Sequence, residues 1–122
     1  MLHLGVTSHF YVGETSQDAR RSLYPYYRAY LRPKTPGGRG RLIEADQFEA
    51  VTSPLGALMT GSPQEVIDKI LTERELLSVD RFMGQIDFGG MPAGMVNDSI
   101  ELLANEVAPA ISKETAIDVA TA

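Results

Sequence analysis

The 122-residue chain has no cysteine. That absence removes disulfides, cysteine-ligated zinc, iron–sulfur ligation and thiolate nucleophiles together, and it fits a reducing compartment. Basic charge is also short. Eleven Lys and Arg stand against sixteen Asp and Glu, a net charge of -5, which disfavours a broad nucleic-acid footprint or attraction to an anionic membrane. Long apolar runs are missing: no stretch approaches the ~20 residues of a membrane span, and the opening MLHLGVTSHFYVG lacks a basic n-region and an apolar h-region. The expectation is a soluble cytoplasmic protein with neither nucleic acid nor membrane as a partner. Histidine is scarce as well. His3 and His9 fall on one face of an extended strand but have no carboxylate close in sequence, so no metal site is expected. No serine has a recognisable His and Asp arrangement, which leaves nucleophilic catalysis without support.

What is present is ordinary for one folded domain: 43% hydrophobic and 22% charged residues. Leu4 to Val12 (LGVTSHFYV) mixes β-branched, aromatic and small residues before Gly13 and is expected to be a buried strand. Thr15, Ser16 and Asp18 carry N-cap and first-turn chemistry for a helix over Ser16 to Leu31, which Pro25 should bend or break near Ser22. Arg32 to Arg41 (RPKTPGGRGR) has nothing to bury and is expected to be a mobile basic loop. A short helical patch follows around Ala45 to Val51. Leu55 to Gly61 (LGALMTG) is a short strand or an extended lead-in.

Ser62-Pro63-Gln64-Glu65 reads as N-cap, proline at the first helical position and a capping-box glutamate. The helix it opens has Val66, Ile67, Ile70, Leu71 and Leu77 on its apolar face, with Glu73, Arg74 and Glu75 outward. Val79 to Ile86 is a second strand, ended by Asp87-Phe88-Gly89-Gly90. Pro92 opens a last helix with the stripe Val96, Ile100, Leu103 and Val107, which Pro109 should stop, and residues 112–122 should fray. The order implies an α/β fold with parallel pairing. Both strands are expected to be apolar on both faces, as buried parallel strands are, leaving Val6, Phe10, Phe82 and Ile86 uncovered in so short a chain.

At GSPQEVIDKI, DRFMGQIDFGGMP and SIELLANEVAP, with HFYVGETSQDARRSLYPYY, the chain resembles the C-terminal part of the luciferase-like flavin-dependent monooxygenases. The resemblance implies the last two βα units of a (β/α)8 TIM barrel, with residues 1–111 a partial barrel domain, 14–60 a long insertion holding the basic loop 32–41, and Leu55 to Gly61 a lead-in to a helix. Roughly the first six units of such a barrel are absent. It also implies an oxidoreductase that uses reduced FMN, or in relatives a deazaflavin, with dioxygen and a small organic substrate. Most groups that hold the flavin would lie in the absent portion, so the chain by itself is expected to be inactive.

Active groups of such barrels gather at the C-terminal ends of the strands. Tyr26 occupies a position similar to an aromatic near the flavin ring, although Tyr26, Tyr27 and Tyr30 equally suit packing of their own helix. Gln85 and Asp87 stand where the last strand meets its loop: the amide can hydrogen-bond a flavin edge, while Asp87 also suits a glycine turn. Tyr26, Gln85 and Asp87 are therefore the expected cofactor-binding residues. The basic loop, with Arg32, Lys34, Arg39 and Arg41, suits either closure over a phosphorylated cofactor or a solvated turn. The chain is expected to be a homo-oligomer that covers its open surface, and a non-catalytic self-associating module derived from the barrel is the competing expectation for its function.

Overall fold

The computed structural model describes residues 3–121 and the side chains of residues 3–116, so Met1, Leu2 and Ala122 at the expected domain ends lie outside the described residues. The elements in order are β1 (Gly5–Val12), α1 (Ser16–Leu31), α2 (Ala45–Thr52), β2 (Met59–Gly61), α3 (Pro63–Leu77), β3 (Arg81–Gln85), α4 (Ala93–Leu102), a π turn (Leu103–Val107) and α5 (Ala108–Thr121). They form an α/β fold around an open, all-parallel sheet in the order β2-β1-β3. Segment 55–61 is more than a lead-in. Met59 to Gly61 pair with Phe10 to Val12 as a third strand, and Gly13 donates its N–H to Gly61 O at 3.0 Å.

Strand alternation gives the sheet two unlike faces. Phe10, Val12 and Met59 bury against Val66, Ile67 and Ile70 of α3 and Val107 of the π turn, and Phe82 and Ile86 pack on the same cluster. On the other face Tyr11 joins Ala19, Leu23 and Tyr27 of α1, Ile43, Phe48 of α2, Leu58 and Phe88. This second cover reaches only the C-terminal ends of the strands. Gly5, Thr7, Arg81, Met83 and Gln85 remain exposed on it. The expectation of strands apolar on both faces is thus corrected: Phe10 is fully buried, Val6, Phe82 and Ile86 are half-buried, and the uncovered face is mostly polar. The reason is the period of two, which sends the even positions of β1 toward α3 and the odd ones toward the open side.

Neither a break at Pro25 nor a stop at Pro109 occurs. Helix α1 runs unbroken from Ser16 to Leu31 through Pro25. Its stripe of Ala19, Leu23 and Tyr27 is buried on both sides of the proline, and that packing outweighs the ~3 kcal/mol an interior proline costs. Pro109 does not end the last helix, which continues as α5 to Thr121. The wider π turn immediately before Pro109 takes up the missing N–H and the bulk of the ring. That turn also changes the phase of the stripe: Val107 is fully buried, Ile100 is exposed, and Ser99 takes the inward position. In α3 the cap is as expected, with Ser62 Oγ accepting from Glu65 N at 3.3 Å, but Leu77 is exposed and Lys69 is buried.

Candidate functional site

The parallel register places His9 of β1 beside Gln85 at the end of β3. His9 Nδ1 and the Tyr27 hydroxyl share a hydrogen bond of 2.8 Å. Three rings enclose the imidazole edge-on, with centroids 5.4 Å away for Tyr27, 5.4 Å for Tyr30 and 5.3 Å for Phe88. Helix α1 contributes both tyrosines, because residues 23, 27 and 30 recur on the stripe that faces the sheet. Phe88 arrives from the loop after β3.

Burial holds the His9 imidazole below its usual pKa, since the charged form loses hydration. Burial likewise pushes the Tyr27 phenol up, while Arg41 of the basic loop opposes it. The result is a neutral imidazole and a neutral phenol in contact, able to exchange donor and acceptor roles at neutral pH. Arg41 comes near because its N–H donates to Leu31 O at 2.7 Å, folding the end of the loop back onto α1.

No hydrogen bond or ring contact joins Tyr26 to Gln85 or Asp87 among the described residues. Tyr26 is half-buried on α1, one position off the inward stripe. Gln85 is exposed beside His9, and Asp87 Oδ1 accepts from Gly89 N at 2.9 Å, closing a turn in which Gly89 and Gly90 adopt φ of 85° and 76°. That turn requires glycine. Tyr27 rather than Tyr26 is the tyrosine at the strand ends. His9, weighed in the sequence only as a metal ligand, sits at the centre of the cluster. The available signal was the spacing of Ala19, Leu23, Tyr27 and Tyr30, which separates their face from that of Tyr26. His3 lies elsewhere, with Nδ1 3.5 Å from Asp80 Oδ2, and the described residues hold no group of three His, Asp or Glu able to bind a metal.

These residues do not by themselves fit a whole flavin. A ring system that large needs an open flat surface, whereas the four rings are taken up with one another, His9 edge-on to the other three and Tyr27 stacked on Tyr30 at 6.3 Å. The α3 terminus and the arginines of α1 that face it and α2 are already engaged. The N-terminus of α3 is closed by its own Ser62 and Glu65; Arg20 is engaged by Glu65 at 3.0 Å, and Arg28 by Glu44 at 3.3 Å. No family model matches the chain, and a search of curated proteins finds no match.

Proposed function

We propose that the chain is the C-terminal portion of a flavin-dependent, luciferase-like monooxygenase, with FMN or a deazaflavin as cofactor, and that it is catalytically silent alone. The observation that carries this reading is the one-sided sheet. Parallel strands are ordinarily covered on both faces. Here α3 and the π turn cover one face, as the outer helices of a barrel do, and the face bearing Gly5, Thr7 and Met83 is left open, where side chains of further barrel strands would pack. The edges suit the same reading. β1 carries no neighbouring strand along Gly5 to His9 on its β2 side, and β3 none on its outer side, among the described residues.

In such an enzyme the flavin supplies the reaction with dioxygen. This chain's part is to form one wall: His9 and Tyr27 hold a proton between Nδ1 and the phenol oxygen, Gln85 presents an amide, and Phe88 and Tyr30 exclude water. The test is to read the coding sequence in frame upstream of Met1 and express it joined to this chain. Roughly six further βα units and a yellow protein absorbing near 450 nm, as oxidised flavins do, are expected. A colourless product, or an upstream frame without a strand–helix repeat, removes the monooxygenase reading.

The same open edges favour a second reading, a non-catalytic module that self-associates edge to edge. Light scattering coupled to size exclusion separates the two: a colourless, stable homo-oligomer of this chain supports the module, and a monomer removes it.

A further inference from the structure

A cavity of about 190 Å³ opens beside β2, between the α2–β2 loop and the first half of α3, and shares no residue with the His9 cluster. Two buried polar side chains line it, and each lacks a partner it would ordinarily have. Thr60 of β2 is 2% exposed, and its Oγ1 has no hydrogen-bond partner among the described residues. A buried hydroxyl left so is rare, because losing water without a replacement bond costs stability.

Lys69 of α3 is 8% exposed and donates from Nζ to Ser53 O and Leu58 O, both at 2.8 Å. An ammonium carries three N–H groups, so one is left over. No carboxylate is ion-paired with Lys69 among the described residues: Glu65, on the same cavity, is engaged by Arg20 at 3.0 Å, and Asp68 accepts from Gln64 at 2.9 Å on the exposed side. Buried charges are ordinarily paired. Burial accordingly pulls the lysine below its usual pKa, with Glu73 and Glu65 only partly opposing the shift.

The rest of the wall is apolar. Pro54 and Leu55 form its outer part, and Leu55 is 87% exposed, a large hydrophobic side chain that the chain itself does not cover. A small concave site with an apolar wall and a few polar groups is the usual form of a small-molecule pocket.

We propose that this cavity binds a small aliphatic monocarboxylate, its oxygens accepting the third N–H of Lys69 and the hydroxyl of Thr60 and its tail lying along Pro54 and Leu55. A carboxylate only accepts hydrogen bonds, which suits two unused donors, and it brings the negative charge that the buried ammonium lacks. Size limits the tail. A cavity of about 150 Å³ takes up benzene, and 3-methylbutanoate is one non-hydrogen atom larger.

The test is calorimetric titration of the full chain with 3-methylbutanoate, with the site located from backbone amide shifts in nuclear magnetic resonance spectra. One saturable site per chain is expected, of millimolar affinity or tighter for so small a molecule, with the shifts centred on residues 54–60 and Lys69. The uncharged 3-methylbutanamide and the tailless acetate should each bind at least tenfold more weakly. Thr60→Val keeps the shape of the side chain and should weaken binding about fivefold while raising the urea midpoint, since it removes the unpartnered hydroxyl. Lys69→Met should abolish binding, and Glu75→Gln on the exposed side of α3 should leave it unaltered. Thr60→Val decides the matter even where Lys69→Met fails to fold. Absence of saturable heat up to about 20 mM, equal binding of acid and amide, unaltered binding to Thr60→Val, or shifts confined to another part of the chain each overturns the proposal. So does tighter binding of 3-methylbutylamine than of the acid, which would make Glu65 and Asp68 the binding groups.

Discussion

Ser99 Oγ accepts the backbone N–H of Val12 at 3.0 Å in a fully buried setting, tying α4 to the last residue of β1. The two residues are 87 positions apart. This bond holds α4 against the C-terminal end of β1.

Replacing Ser99 by alanine keeps nearly the same volume but strands a buried N–H. The expected cost is about 1–3 kcal/mol of stability, read as a lower urea midpoint with an unchanged slope. A midpoint equal to that of the parent chain would mean that water or another acceptor reaches Val12.

Ser62→Ala removes the acceptor that caps α3, where the serine and Glu65 satisfy each other's backbone N–H groups. A loss of about 1 kcal/mol is expected, and Ser62→Asp should recover most of it. If alanine and aspartate behave alike, the cap contributes nothing.

Lys69 donates from Nζ to Ser53 O and Leu58 O, both at 2.8 Å, so one buried ammonium holds the loop between α2 and β2 against α3. Lys69→Met preserves the stem and removes both bonds. A loss of roughly 2–3 kcal/mol follows from hydrogen bonds to a charged group and the carbonyls left behind, together with faster hydrogen exchange over residues 53–60. An unperturbed exchange pattern would assign the lysine a merely solvated role.

Burial lowers the folded-state pKa of His9 below the ordinary 6.5. The fold therefore favours the neutral imidazole. Its contribution to stability is unaffected above pH 6.5, declines as pH falls from there to the folded value, and is constant below it. Nuclear magnetic resonance titration of the His9 ring should give a midpoint under 6.5, and the stability difference between the parent chain and His9→Asn should shrink between about pH 7.5 and pH 5. A midpoint at or above the ordinary value would contradict the buried His9–Tyr27 arrangement.

Isolated chain is expected to bind FMN weakly or not at all, since Asp87 is engaged by Gly89 N, the arginines nearest α3 and α2 are already paired, and most groups that would hold the flavin belong to the absent units. Quenching of FMN fluorescence measures this directly. Saturable binding in the low micromolar range, about 8 kcal/mol, would show that this portion alone holds the cofactor.

The amino-acid sequence by itself determined the local features: the strand before Gly13, the caps at Thr15 and Ser62, the helix of α3 and the glycine turn at Gly89. The caps and the turn rest on contacts within a few residues, between a side chain and its own backbone, and the strand and helix on the pattern of neighbouring side chains, so nearby letters suffice to specify them. Which face of β1 is covered, which tyrosine reaches His9, why Lys69 is buried, and how the last helix passes Pro109 were decided only by the tertiary structure. Those outcomes depend on partners 11 to 87 residues away, as Lys69 with Leu58, Tyr27 with His9, and Val12 with Ser99 show. Long-range burial overrides local preference because one interior proline costs about as much as a single well-packed side chain contributes, and several such side chains act together.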